Sequence, residues 1–81
     1  MKIISVIEIS RTPEKILLEV EYEKKARGFF SDYPDVVKRQ IFYNIRFKSG
    51  EFRDNGESML NEGLDFYHGI QNEADLILNK L

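Results

Sequence analysis

Along residues 15–25 the chain follows a strand-like alternation, strict in apolar and charged side chains from Leu18 to Glu23. Ile16, Leu18, Val20 and Tyr22 hold one parity, and Leu17, Glu19, Glu21 and Glu23 the other. Successive side chains of a strand point to opposite faces, so this segment reads as a half-buried antiparallel strand. The same period runs through residues 40–48. There Ile41, Tyr43, Ile45 and Phe47 are expected to face the core, and Gln40, Phe42, Asn44, Arg46 and Lys48 to face solvent. Ser49-Gly50 then fits a two-residue hairpin turn, because glycine tolerates positive φ. That register puts Phe52 opposite Phe47, Glu51 opposite Lys48, and a short fourth strand at 51–53. Residues 2–9 are rich in β-branched side chains and read as the first strand, although both parities carry aliphatics. Arg11-Thr12-Pro13-Glu14 makes a turn, since proline presets its dihedral and cannot donate to a ladder.

The period changes after Asn55-Gly56. Met59, Leu60, Leu64, Phe66, Tyr67, Ile70, Ala74, Ile77, Leu78 and Leu81 recur at helical spacing on one arc. Asn55 or Ser58 can cap the N-terminus, and Glu57 and Glu62 sit near the positive end of the helix dipole. The spacing predicts one helix over 57–80, with Leu60, Leu64, Tyr67, Ile70, Ala74 and Ile77 buried and His68 exposed. Gly63 falls within the apolar arc, where a missing side chain would let the helix approach its partner. The segment 26–39, punctuated by Gly28 and Pro34, is expected to be a loop, with room for one helical turn at 35–39. A helix with so wide an apolar arc must cover the inward sheet face. The fold class is therefore α+β: a four-stranded antiparallel sheet in β-β-β-β-α order, covered on one face by a single long C-terminal helix. Residues 1–81 form a single domain. In element order alone, this arrangement resembles the single-stranded-DNA-binding coactivator fold.

Charge is unevenly distributed. Residues 24–53 hold Lys24, Lys25, Arg27, Lys38, Arg39, Arg46, Lys48 and Arg53 against Asp32, Asp35 and Glu51, whereas from residue 54 onward Lys80 stands against six carboxylates. Such asymmetry implies a charged partner or two halves that neutralise each other. If the second and third strands pair symmetrically about 26–39, Glu19 faces Arg46, Glu21 faces Asn44 and Glu23 faces Phe42. The basic strand would then be answered from within the sheet.

Candidate chemistry is sparse. The chain has no cysteine, which excludes disulfides and thiolate metal sites. Its one histidine, His68, is expected on the polar side of the helix, without a nucleophile near it in sequence. Asp54-Asn55-Gly56-Glu57 lacks the spaced ligands of a calcium loop and reads as turn plus cap. The glycines are isolated, so no phosphate-cradling loop is expected. The expectation is a protein without catalytic, cofactor-binding or metal-binding residues. No apolar run is long enough to cross a bilayer and the N-terminus lacks a signal-peptide core, so a cytoplasmic location is expected.

What stands out is aromatic residues among cations. Phe42, Arg46, Lys48 and Arg53 are expected to share the solvent face of the sheet, and Phe29, Phe30 and Tyr33 fall in the loop. Aromatic side chains and arginine are enriched at the centres of protein interfaces. These residues are the candidate partner-binding set. The function expected is a small non-enzymatic interaction module, a regulator or inhibitor of the kind that mobile elements or phages encode. Its partner is another protein, and homodimerisation through exposed strand edges is a further expectation. The alternative is single-stranded nucleic-acid binding, with bases stacked on the same face.

Overall fold

A computed structural model describes residues 2–24 and 35–80. Four strands, β1 (Lys2–Arg11), β2 (Lys15–Lys24), β3 (Asp35–Asn44) and β4 (Ser49–Phe52), form one antiparallel sheet in that spatial order. A 3₁₀ turn (Met59–Glu62) and the helix α1 (Leu64–Leu78) complete the α+β arrangement. The alternation of β2 is realised in full: Ile16, Leu18, Val20 and Tyr22 are sealed from solvent, as are Ile41 and Tyr43 of β3. Phe52, Met59, Phe66, Ile70 and Ala74 close over them, with Ile3, Val6 and Val37 packed at the margin.

In β1, aliphatic residues on both parities have a structural cause. Its register against β2 slips between Ile3 and Ser5 and again between Glu8 and Ser10, one extra residue each time. Each bulge inverts the alternation, so Ile3 and Val6 both reach the core while Ile7 pairs beside Glu19 on the other face.

Residues 35–39 are strand rather than a helical turn. Val36 and Val37 are β-branched, and Asp35 to Asn44 pair residue for residue with Lys24 to Lys15. The strand ends earlier than the alternation suggests, at Asn44, and the hairpin turn is Ile45–Lys48 rather than Ser49-Gly50. The Lys48 N–H donates to the Asn44 carbonyl (2.9 Å), the Asn44 side chain accepts from the Phe47 N–H (2.9 Å), and Lys48 itself takes the positive φ of 54°. Phe47 therefore sits at the hairpin tip, 69% exposed, with the Arg46 guanidinium 5.5 Å from its ring centre, and Phe52 pairs with Ile41 instead. Gly50 serves packing: a Cβ there would lie 2.7 Å from Ile41 Cγ2 and 3.0 Å from Met59 Sδ.

The C-terminal apolar arc is not one helix. Ser58 caps the 3₁₀ turn by accepting from the Leu60 N–H, and Asn55 accepts from the Glu57 N–H. Gly63 then breaks the run with φ 104° and ψ 163°, a conformation nearly confined to glycine, before α1 starts. The break leaves Leu60 and Leu64 on the surface, the latter 64% exposed, while Phe66, Ile70 and Ala74 form the buried stripe and Tyr67 and Ile77 are half-buried. His68 is exposed, as the wheel requires. The close approach belongs to Gly69, where a Cβ would meet Ile3 Cδ1 of β1 at 2.5 Å.

These differences predict unequal costs along one apolar arc. Ile70→Ala should destabilise the protein by about 2–5 kcal/mol, the range for a truncated core aliphatic. Leu64→Ala should change stability by no more than about 0.5 kcal/mol. Gly63→Ala should cost about 1–3 kcal/mol through its backbone angle alone. Urea denaturation of the three variants measures all of these.

Candidate interaction surface

The helix covers one face of the sheet, and among the described residues no element covers the opposite face. Cross-strand pairing arranges that face in rows. Ser10, Leu17, Phe42 and Glu51 make one row; Ile7, Glu19 and Gln40 the next; Ser5, Glu21 and Lys38 the third; Lys2, Glu23 and Val36 the last. Leu17 and Phe42 are direct neighbours, with Phe42 40% and Ile7 55% exposed. Glu19, Glu21 and Glu23 run down interior strand β2 as a column of carboxylates.

Of the candidate partner-binding residues, Phe42 lies on this face. Arg53 flanks it, since its backbone N–H donates to the Gln40 carbonyl (2.9 Å) and its guanidinium to Gln40 Oε1 (2.7 Å). Arg46 and Lys48 do not join them, because both fall in the hairpin turn. The Lys48 carbonyl instead accepts from Tyr67 Oη (2.9 Å) and Gln71 Nε2 (2.7 Å), which ties the hairpin to α1. Phe29, Phe30 and Tyr33 lie outside the described residues.

The expected answering of charge within the sheet occurs in a different register. Glu19 faces Gln40 rather than Arg46, Glu21 faces Lys38 rather than Asn44, and Glu23 faces Val36 rather than Phe42. The strands pair about a shorter connection than 26–39, because β3 begins at Asp35. Lys38 Nζ stands 3.8 Å from a Glu21 oxygen, a long and exposed pair of little energetic worth.

Sequence reasoning missed Arg39. Its position opposite Val20 puts it on the core side of β3, where its guanidinium lies 3.5 Å over the Phe52 ring. It donates to both Asp54 oxygens, at 3.0 and 2.6 Å. The paired hydrogen bonds raise the Arg39 pKa further above its already high value and hold the Asp54 carboxyl below the usual carboxylate range. The available signal was its odd parity, shared with Ile41 and Tyr43. A cation stacked on an aromatic at a core margin is invisible to a simple apolar count. Around this clamp Glu19, Lys38, Arg39, Gln40, Arg53 and Asp54 line an open groove of about 460 Å³.

Among the described residues no group of three or more His, Cys, Asp or Glu is placed to hold a metal, and no helix is long and apolar enough to cross a membrane. Comparison with protein-family models, curated proteins and solved structures finds no match. The interaction surface therefore rests on this chain's own geometry.

Beneath the sheet, the Tyr43 hydroxyl is buried without a hydrogen-bond partner among the described residues. Burial, with Asp75 and Tyr67 adding to it, pushes its pKa from 10.0 up to about 12. The folded state thus favours the neutral phenol. That contribution is complete below pH 10.0 and is lost as pH rises toward about 12. Tyr43→Phe should keep or raise stability near neutral pH, since it removes an unpartnered polar group. It should also remove about 2–3 kcal/mol of alkaline destabilisation relative to the parent. Chemical denaturation at a series of pH values from neutral to strongly alkaline measures both effects.

Proposed function

We propose that this protein is a non-enzymatic binding module that regulates or inhibits another protein by docking its uncovered sheet face, and that it works in the cytoplasm. The observation that carries this reading is Phe42 beside Leu17, with Ile7 a row away, on a face the helix leaves open. Apolar side chains contiguous on an open surface and rimmed by charge are the usual composition of an interface centre and rim. The carboxylate column of Glu19, Glu21 and Glu23 on that same face favours a protein over nucleic acid, because it repels phosphate where bases would stack on Phe42. The cations expected to offset it, Arg46 and Lys48, stand in the hairpin turn.

A photo-crosslinking amino acid in place of Phe42 tests the reading in lysate of the native host. It should capture a recurrent heterologous protein, and the same probe in place of exposed Asn72 on α1 should not. Equal capture from both positions, recovery of nucleic acid alone, or crosslinks only to a second copy of the chain would each overturn it. Phe42→Ala should lower stability by less than about 1 kcal/mol, the range of one cross-strand pair, so that lost capture reports contact rather than unfolding.

A further inference from the structure

Among the described residues, only part of β3 is paired on its outer side. β4 matches Ile41 to Asn44, and the Arg53 N–H takes the Gln40 carbonyl, after which the chain turns away through Asp54 and Asn55. Backbone direction in a strand alternates with every residue. The Ile45 N–H points across to the Glu14 carbonyl on the β2 side, and the Gln40 carbonyl points the other way. The N–H and C=O groups of Val36 and Lys38 therefore face away from β2, and among the described residues no backbone group meets them.

We propose that this half of β3, unpaired among the described residues, receives an extended acidic segment of a partner protein, which adds as a short strand in line with β4. The inference rests on the protein-binding reading above and names the partner's chemistry. Strand addition to an open edge supplies main-chain hydrogen bonds, and side chains at alternate positions supply the selectivity. Here the groups nearest the edge on the open face are the cations Lys38 and Arg53, with weak or neutral partners, while the carboxylate column stands one strand further in on β2. Lys38 has a carboxylate only at 3.8 Å, and the Arg53 guanidinium bonds the neutral Gln40 side chain. Arg39 is already committed to Asp54 and seals the core side of the same groove. A carboxylate opposite Lys38 on an incoming strand would stand across from Lys38 and in line with Arg53, which lies opposite Gln40, and a second one two residues on would lie diagonal to Lys38 on the same face.

Charge also selects against a second copy as occupant. An antiparallel copy that pairs Val36 with Lys38 would set the two Lys38 side chains diagonally on one face of a ladder only a few residues long, and like charges so placed oppose pairing. The other free edge, β1, is the poorer template. Its two bulges interrupt the ladder, and Arg11 is bound to Glu8 within the strand at 2.7 and 2.9 Å.

The test uses the whole ¹⁵N-labelled protein and two capped peptides, one alternating threonine with glutamate and the other alternating threonine with lysine. The glutamate peptide should slow hydrogen exchange at the Val36 and Lys38 amides. It should bind about tenfold more tightly than the lysine peptide, the ratio expected from two exposed charge pairs. Val36→Pro removes one outward N–H without altering charge and should abolish the protection. The double variant Lys38→Glu, Arg53→Glu should reverse the preference, and it decides alone if the proline variant fails to fold. Equal binding of both peptides, or no protection at Val36 and Lys38, overturns the proposal. Protection confined to the amides around Ile7 and Phe42 overturns the edge site while leaving the binding-module reading standing. Loss of the Phe42 crosslinks removes that wider reading whatever the peptides do.

Discussion

One strand's sealed face governs this molecule. β2 lies between β1 and β3, and its even residues from Ile16 to Tyr22 are fully withdrawn from water. Each such side chain contributes about 1.5–3 kcal/mol as an upper estimate, large against the stability of a domain this small. The helix must therefore lie on that side, and a one-residue slip of β2 would turn Glu19, Glu21 and Glu23 into the core. Register, helix position and the identity of the open face all follow from this single alternation.

Two contacts extend this order to the edge of the sheet. Arg39, stacked on Phe52 and doubly bonded to Asp54, holds the end of β4 and the turn after it against β3. At the opposite end of β4, the Lys48 carbonyl receives Tyr67 and Gln71 from α1. A four-residue strand would be marginal by itself, but it is pinned at both ends by side chains from other elements. The 15 residues of α1 span about 22 Å, against about 33 Å for ten-residue strands. Met59 and the 3₁₀ turn therefore complete the cover.

The arrangement is asymmetric in a way that bears on function. The covered face is apolar and closed, while the open one mixes Ile7, Leu17 and Phe42 with a carboxylate column. The edges differ too: β1 is long but twice bulged, and β3 is regular but half paired. The short β4 is thus both a structural stop and the reason the outward backbone groups at Val36 and Lys38 meet no strand among the described residues.

Local sequence determined the elements whose own period carries the information. The alternation of β2, the inward set Ile41 and Tyr43 and the exposure of His68 need only nearest neighbours and were legible from the chain, whereas Ser58, expected to cap the helix, caps the 3₁₀ turn before it. Phe42 was legible as an outward aromatic for the same reason. Tertiary packing decided the rest. Ser49-Gly50 looks like a turn, yet Gly50 is required because Ile41 and Met59 fill the space where a side chain would stand. Gly63 reads on a wheel as the point of close approach, but it breaks the helix by its backbone angle, and it is Gly69 that admits Ile3. Where β3 begins, and hence which residue faces each glutamate of β2, depends on pairing across the sheet. The core position of Arg39 depends on an aromatic ring and a carboxylate brought from β4 and the turn that follows. Periodicity records which side of an element is wet, but not which distant atoms occupy the other side, and that is why half of the candidate surface took shape only in three dimensions.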